Sequence, residues 1–151
     1  MDKLIISYIN TSSPKYGDVW QLREEILRKP LGLSLKNEDL TWDHVDTIFI
    51  AEHNNKVIGC LMLHKVAGAH IKLRQMAVYS EWQGMGVGSR LVKAAEEFCI
   101  HKGYNRIGLH ARNIATGFYK SLGYTISGSE FFEVGIPHYA MEKKIGLAVN
   151  G

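Results

Sequence analysis

The chain has 151 residues, 46% of them hydrophobic and 22% charged, a balance that suits one folded domain with a sizeable core. With 15 Gly, 3 Pro and 2 Cys, it is too poor in these residues for a collagen-like repeat, a disordered low-complexity chain or a disulfide scaffold. The surplus of 18 Lys and Arg over 15 Asp and Glu is only +3, too mild to imply nucleic acid and equally suited to a small anionic ligand.

The first strand is predicted over residues 4–9, followed by turn and capping chemistry in Ser12-Ser13-Pro14. Val19, Leu22 and Ile26 recur at helical spacing within a helix predicted over 16–28, which Pro30 stops. Residues 31–40 read as a shorter helix or a covering loop. The β-rich runs 47–53 and 56–66 are joined by Asn54-Asn55, a pair suited to positive φ and hence to a hairpin. A strand over 70–79 leads to a helix over 88–102, with Leu91, Ala94, Ala95 and Phe98 on one face and Gly103 past its end. A strand over 106–110, a helix over 115–122 ended by Gly123, and strands over 124–129 and 138–145 complete the chain. Hairpins mixed with a strand–helix–strand unit predict an α/β fold with a mixed sheet, in one domain spanning 1–151.

No apolar run approaches the roughly 18 residues of a membrane span. The opening Met1-Asp2-Lys3-Leu4-Ile5-Ile6 lacks a signal peptide's apolar core and cleavage site. Cys60 and Cys99 sit in apolar stretches outside any CxxC, and the 7 His show no HxxxH or HExxH spacing. Buried free thiols, no metal, no membrane or nucleic-acid partner and a cytoplasmic location are therefore expected.

The most informative segment is Gln83-Gly84-Met85-Gly86-Val87-Gly88-Ser89, between a predicted strand and a predicted helix. Glycines at alternate positions let successive N–H groups turn toward one point, and the helix start adds unpaired donors and the positive end of its dipole. Such a nest holds a phosphate or pyrophosphate without a lysine; taken alone, the same glycines also read as a flexible turn. A Walker loop fails, because the helix opens Gly88-Ser89-Arg90 without the lysine. A Rossmann fingerprint fails as well: Ser89 takes the third glycine's place, and the next strand ends His110-Ala111-Arg112 without a ribose-binding acid.

The run from Gln83 to Gly88 does fit the pattern Gln/Arg-x-x-Gly-x-Gly/Ala. It resembles the acetyl-CoA pyrophosphate loop of the GNAT superfamily of N-acetyltransferases. Ala115-Thr116-Gly117-Phe118-Tyr119-Lys120-Ser121-Leu122-Gly123-Tyr124 looks like that family's A-x-x-(L/F)-Y-x-x-x-G-F block, and the element order agrees over nearly the whole chain. Leu22-Arg23, Leu27-Arg28-Lys29-Pro30-Leu31-Gly32 and the ending Gly135-Ile136-Pro137-His138-Tyr139-Ala140-Met141 resemble one uncharacterised bacterial branch. The resemblance implies a central, mostly antiparallel sheet with one splayed parallel strand pair, flanked by helices.

It also implies acetyl transfer from acetyl-CoA to a primary amine by direct attack. The sequence agrees in lacking both a GxSxG motif and a cysteine in an activating setting. By resemblance, Met76, Ala77 and Val78 offer backbone groups to the pantetheine, one N–H facing the thioester oxygen. Gln83, Gly84, Met85, Gly86, Val87, Gly88 and Ser89 would hold the pyrophosphate, with Asn113 and Phe118 also on the cofactor. Tyr119 matches the tyrosine that gives a proton to the departing thiolate. Two departures stand out. Arg112 occupies the place where the family often has Asn, one residue before Asn113. Lys72 and Arg74 lie on the strand where many relatives carry a Glu base. The remaining base candidates are His110, Glu133 and His138, or a chain of water molecules. Glu130 and Glu133 beside Phe131-Phe132 read as an acidic, aromatic-edged site for a cationic amine, or equally as a solvated loop. The leading expectation is a small-molecule amine as acceptor, and a homodimer is compatible with it. The alternatives are a protein or peptide N-acetyltransferase and a non-catalytic acyl-CoA-binding module.

Overall fold

The computed structural model describes residues 3–146. They form two compact units: one comprises the chain up to His64 together with Arg74–Ala95, the other Lys65–Leu73 together with the chain from Glu96 onward. Among the described residues, no helix is long and apolar enough to cross a membrane.

In the first unit, β1 (Leu4–Ile9), β2 (Thr47–His53), β3 (Lys56–Ala67) and the later part of β4 (His70–Val78) are hydrogen bonded in that order. The β2–β3 hairpin closes through Asn54 and Asn55 at φ 51° and 62°, the left-handed pair that a two-residue turn requires. The register shifts between Ala51 and Glu52, partners of Gly59 and Val57, so Ile58 is an extra residue on β3. Its carbonyl accepts the Tyr79 N–H at 3.0 Å, just past the end of β4.

Helix α1 (Tyr16–Arg23) buries Val19 and Leu22 against Ile48, Ile50, Val57, Cys60, Met62 and Ala77. The predicted helix continues as a π turn over Glu24–Arg28 and ends in a 3-10 turn, Lys29–Leu31, that carries Pro30. Residues 31–40 form one turn, Leu35–Asn37, rather than a helix. The Glu24 carboxylate accepts from Ser34 Oγ (2.6 Å) and Leu35 N–H (2.8 Å), and so pins that turn to α1.

Helix α2 (Val87–His101) starts one residue earlier than predicted and passes from the first unit into the second. Its buried stripe is Val87, Leu91, Val92, Ala95 and Cys99, whereas the predicted Ala94 and Phe98 are only half-buried. Gly103 (φ 88°) ends it in a Schellman arrangement, with Gly103 N–H on Ile100 O and Tyr104 N–H on Cys99 O.

In the second unit, the first residues of β4 pair in parallel with β5 (Arg106–Arg112) over only three positions, the last being Lys72 with Gly108. β5 then pairs antiparallel with β8 (Ile136–Lys144) from Arg106↔Lys144 to Arg112↔His138. The sheet is thus mixed and mostly antiparallel, with one parallel pair, as expected. The predicted strand 124–129 shrinks to β6 (Thr125–Ile126), and the segment read as a possible loop contains β7 (Phe131–Glu133), both paired with β8. Val134 (φ 48°) and Gly135 (φ 75°) close the β7–β8 hairpin. A valine is a poor residue for positive φ, so Gly135 was the turn's one signal in the sequence.

Gly59 is where β3 meets α2 most closely: a Cβ there would lie 3.0 Å from Val87 Cγ1 and 3.1 Å from Leu91 Cδ1. Gly59→Ala should therefore lower the free energy of unfolding by about 1–3 kcal/mol through overpacking. A urea titration with an unchanged midpoint would show that the helix yields freely.

Candidate active site

The glycine loop lies in the first unit, after Tyr79 and a single 3-10 turn over Ser80–Trp82. Gly84 and Gly86 adopt φ 78° and 84°, and a Cβ on either would meet nothing within 4 Å. The loop is left-handed and open on that side. The helical turn of α2 first closes with Arg90 N–H on the Gly86 carbonyl at 3.0 Å. The N–H groups of Val87, Gly88 and Ser89 are therefore the orphan donors of the helix start. Glycine geometry, free donors and helix dipole together fit a pyrophosphate. The Gln83 side-chain amide donates to the Val78 carbonyl at 2.8 Å, tying the loop to the end of β4.

Met76 is half-buried, and Ala77 and Val78 are buried. The residue before them, Gln75, sits at φ 54°, a left-handed conformation inside a strand. Its side-chain carbonyl accepts from Arg23 Nε (3.3 Å) and Arg28 Nη2 (3.2 Å), and its backbone carbonyl from Cys60 Sγ (3.5 Å). Arg23 is fully buried and donates through Nη1 to Asp43 at 2.7 Å, while the Tyr16 hydroxyl donates to the same carboxylate oxygen. Burial, reinforced by Asp43, pushes the Tyr16 phenol up to about 12.

Arg74, on the strand where many relatives carry a Glu base, is neutralised by carboxylates from elsewhere in the first unit. It donates to Asp46 at 2.5 Å and lies 3.5 Å from Asp43, and both carboxylates are fully buried. His64 completes the group, its Nδ1–H on Asp46 at 2.6 Å and its ring stacked on Trp42 at 3.6 Å. β4 itself holds no carboxylate, but the turn before β2 supplies two.

In the second unit, helix α3 (Thr116–Ser121) carries Phe118 and Tyr119, whose rings meet edge to face at 5.0 Å. Tyr119 is buried, with Tyr124 at 5.8 Å, and burial raises its phenol to about 12. Gly123 (φ 96°) ends α3 by placing the Tyr124 N–H on the Tyr119 carbonyl at 3.0 Å. Lys143 secures that end, donating to the Leu122 carbonyl (2.8 Å) and to Glu96 (3.1 Å), which also accepts from the Tyr124 hydroxyl (2.9 Å). Asn113 is exposed at the end of β5, and its carbonyl accepts from Thr116 Oγ1 at 3.1 Å.

Two of the three base candidates form one dyad. His110 donates from Nδ1 to Glu133 at 2.9 Å, which leaves Nε2 as the proton acceptor. Phe131 packs edge-on against His110 at 4.9 Å and stacks on the His138 ring at 6.0 Å, so β7 gathers all three candidates. His138 is buried, with Nδ1–H on the Ile136 carbonyl at 2.8 Å. Both cysteines are buried, and desolvation pushes their thiols up to about 12, which leaves them protonated and poor nucleophiles. Among the described residues, no group of three His, Cys, Asp or Glu could hold a metal.

The sequence reading missed Gln75 and the Arg23–Asp43–Arg74–Asp46 group. One signal existed: Arg23 lies four residues after Val19, on the apolar face of α1, where an unpaired cation would not be buried.

The sequence signature of the acetyltransferase (GNAT) family matches residues 16–124. An uncharacterised protein, YyaT, from Bacillus subtilis (strain 168) is 34% identical over 115 residues, covering 72% of this chain and 77% of that protein. Escherichia coli ElaA superposes with a TM-score of 0.82 at 19% identity, over 93% of this chain and 99% of its own. A GNAT family acetyltransferase from Elizabethkingia anophelis, solved with acetyl-CoA bound, superposes with a TM-score of 0.71 at 18% identity, over 96% of this chain and 100% of its own. A family signature running from α1 through the glycine loop to the tyrosine block of α3, on a sheet with this topology, assigns the chain to the GNAT family of acetyltransferases.

Proposed function

We propose that this protein transfers the acetyl group of acetyl-CoA to the primary amine of a small molecule, with residues 1–151 acting as one acetyltransferase domain. The observation that carries the reading is the left-handed glycine loop opening on the α2 N-terminus, tied through Gln83 to the end of β4. Gln83–Ser89 would bind the pyrophosphate, with Asn113 and Phe118 as further contacts. The backbone of Met76–Val78 would line the pantetheine and present one N–H to the thioester oxygen as charge builds there. A carbon–nitrogen bond forms as the carbon–sulfur bond breaks; the amine's proton leaves to a base, and the sulfur gains one.

His110, oriented by Glu133, is assigned the base role, with the buried His138 beside it as the alternative. Tyr119 is assigned the donor role. A phenol near 12 is a weaker acid than a thiol near 8.5, so Tyr119 acts by hydrogen bonding to the departing sulfur more than by complete transfer. Glu133 and Phe131 lie on β7 rather than on a loop, which gives a cationic acceptor a fixed acidic and aromatic edge.

Calorimetry and a thiol-release assay across amines, polyamines, aminoglycosides, amino acids and peptides test this reading. Turnover confined to peptides would move the acceptor to a polypeptide, and acetyl-CoA binding without any turnover would leave a binding module. Gly86→Val should weaken CoA binding by about tenfold or more, because a branched side chain resists φ 84° and the loop loses its nest. Wild-type affinity in the folded variant would refute the loop assignment. For Tyr119→Phe, a fall in kcat of about 10²-fold is expected with CoA affinity nearly constant; an unchanged kcat would leave the tyrosine a packing residue. His110→Ala should lower kcat/KM by about 10²-fold and remove the acidic limb of the pH profile. If rate and profile both persist, the base lies elsewhere.

A further inference from the structure

The left-handed turn at Gln75 has no local cause. Glutamine has no intrinsic preference for φ 54°, and a non-glycine residue stays there only when its surroundings enforce it. The enforcement is visible. One side-chain carbonyl receives two guanidinium donors, from Arg23 at 3.3 Å and Arg28 at 3.2 Å, while the Cys60 thiol holds the backbone carbonyl.

Both arginines are themselves fixed. Arg28 makes a two-pronged pair with Glu38 at 2.6 and 3.0 Å. Arg23 pairs with Asp43 but leaves Nη2 buried with no hydrogen-bond partner among the described residues, while Asp43 Oδ1 has only the Arg74 charge at 3.5 Å. Stability alone does not favour a buried ion pair with an orphaned donor, because an apolar pair of similar volume packs as well without the desolvation penalty. The arrangement is explained by what it holds. A left-handed residue in a strand rotates the peptide planes that follow, and those planes belong to Met76, Ala77 and Val78.

We infer that Arg23 and Arg28 are positioning residues, which clamp Gln75 in its left-handed turn and so aim one backbone N–H of the Met76–Val78 segment at the thioester. The inference rests on the acetyl-CoA reading above. Without the clamp, Gln75 relaxes toward the extended conformation and that donor turns away, while the glycine loop keeps its own geometry.

The test uses the full chain and acetyl-CoA labelled with carbon-13 at the thioester carbonyl, whose resonance reports polarisation without an acceptor. In the wild type the bound resonance should move downfield from that of free acetyl-CoA. In Gln75→Leu it should return toward the free value, with kcat down by about 10–10²-fold, the scale of a misplaced reacting group. Affinity for CoA, which has no thioester, should stay within about threefold, since the loop's nest is untouched. Arg28→Gln, at a partly exposed residue that spares the Arg23–Asp43 pair, should show the same change to a smaller degree, and it decides the matter if Gln75→Leu does not fold. Variants that shift the urea midpoint but leave the carbonyl resonance at its wild-type position would overturn the inference and make the clamp purely structural. No acetyl-CoA binding by the wild type would overturn the functional reading itself, and the inference with it.

Discussion

The buried pairing of Arg23 with Asp43 is the constraint on which the first unit depends. A guanidinium and a carboxylate with almost no solvent contact must satisfy each other, because leaving either alone costs about 3–5 kcal/mol. Their partners then follow. Tyr16 and Arg23 come from α1, Asp43 and Asp46 from the turn before β2, His64 from β3, and Arg74 and Gln75 from β4. Two carboxylates against two guanidiniums keep the group balanced, and that balance lets so much charge sit beside the apolar cluster of Val19, Leu22 and Ile48. Helix, turn and strand are thereby tied together, along with the backbone that leads into the glycine loop.

The second unit solves a similar problem with a single lysine. Lys143 meets Glu96 of α2, the last carbonyl of α3 and, at 5.6 Å, the face of Tyr124. Burial, with Glu96 adding to it, raises the Tyr124 phenol far above its usual range, so Tyr124 stays a hydrogen-bond donor to that carboxylate. Together with the Gly123 cap, these contacts fix the short α3, which at six residues is too short to hold its shape alone. The position of Tyr119 is inherited from a lysine on another strand.

The absence of a carboxylate on β4 takes a different meaning once the side chains are placed. In the sequence, Lys72 and Arg74 stand on the strand where many relatives carry a Glu base. In the folded chain, Asp43 and Asp46 answer Arg74, and the strand's charge serves structure. In the second unit, Glu133 sets the His110 tautomer by taking its Nδ1–H.

What the sequence determined by itself is what local chemistry decides. Alternating glycines before a helix announced the loop, Asn54-Asn55 the hairpin, Gly103 and Gly123 the helix ends, and the tyrosine block the family, because backbone freedom and short-range hydrogen bonds need only neighbouring residues. Contacts between residues far apart in the chain were decided by the tertiary structure alone. Val134 is a poor turn residue and Gly135 alone fixes no register, so β7 and the His110–Glu133 dyad it creates were hidden until β8 pulled the hairpin into register. Gln75 carries no trace of its left-handed backbone either; Arg23 and Arg28, roughly fifty residues earlier, impose it through hydrogen bonds that form only once α1 has packed on the sheet.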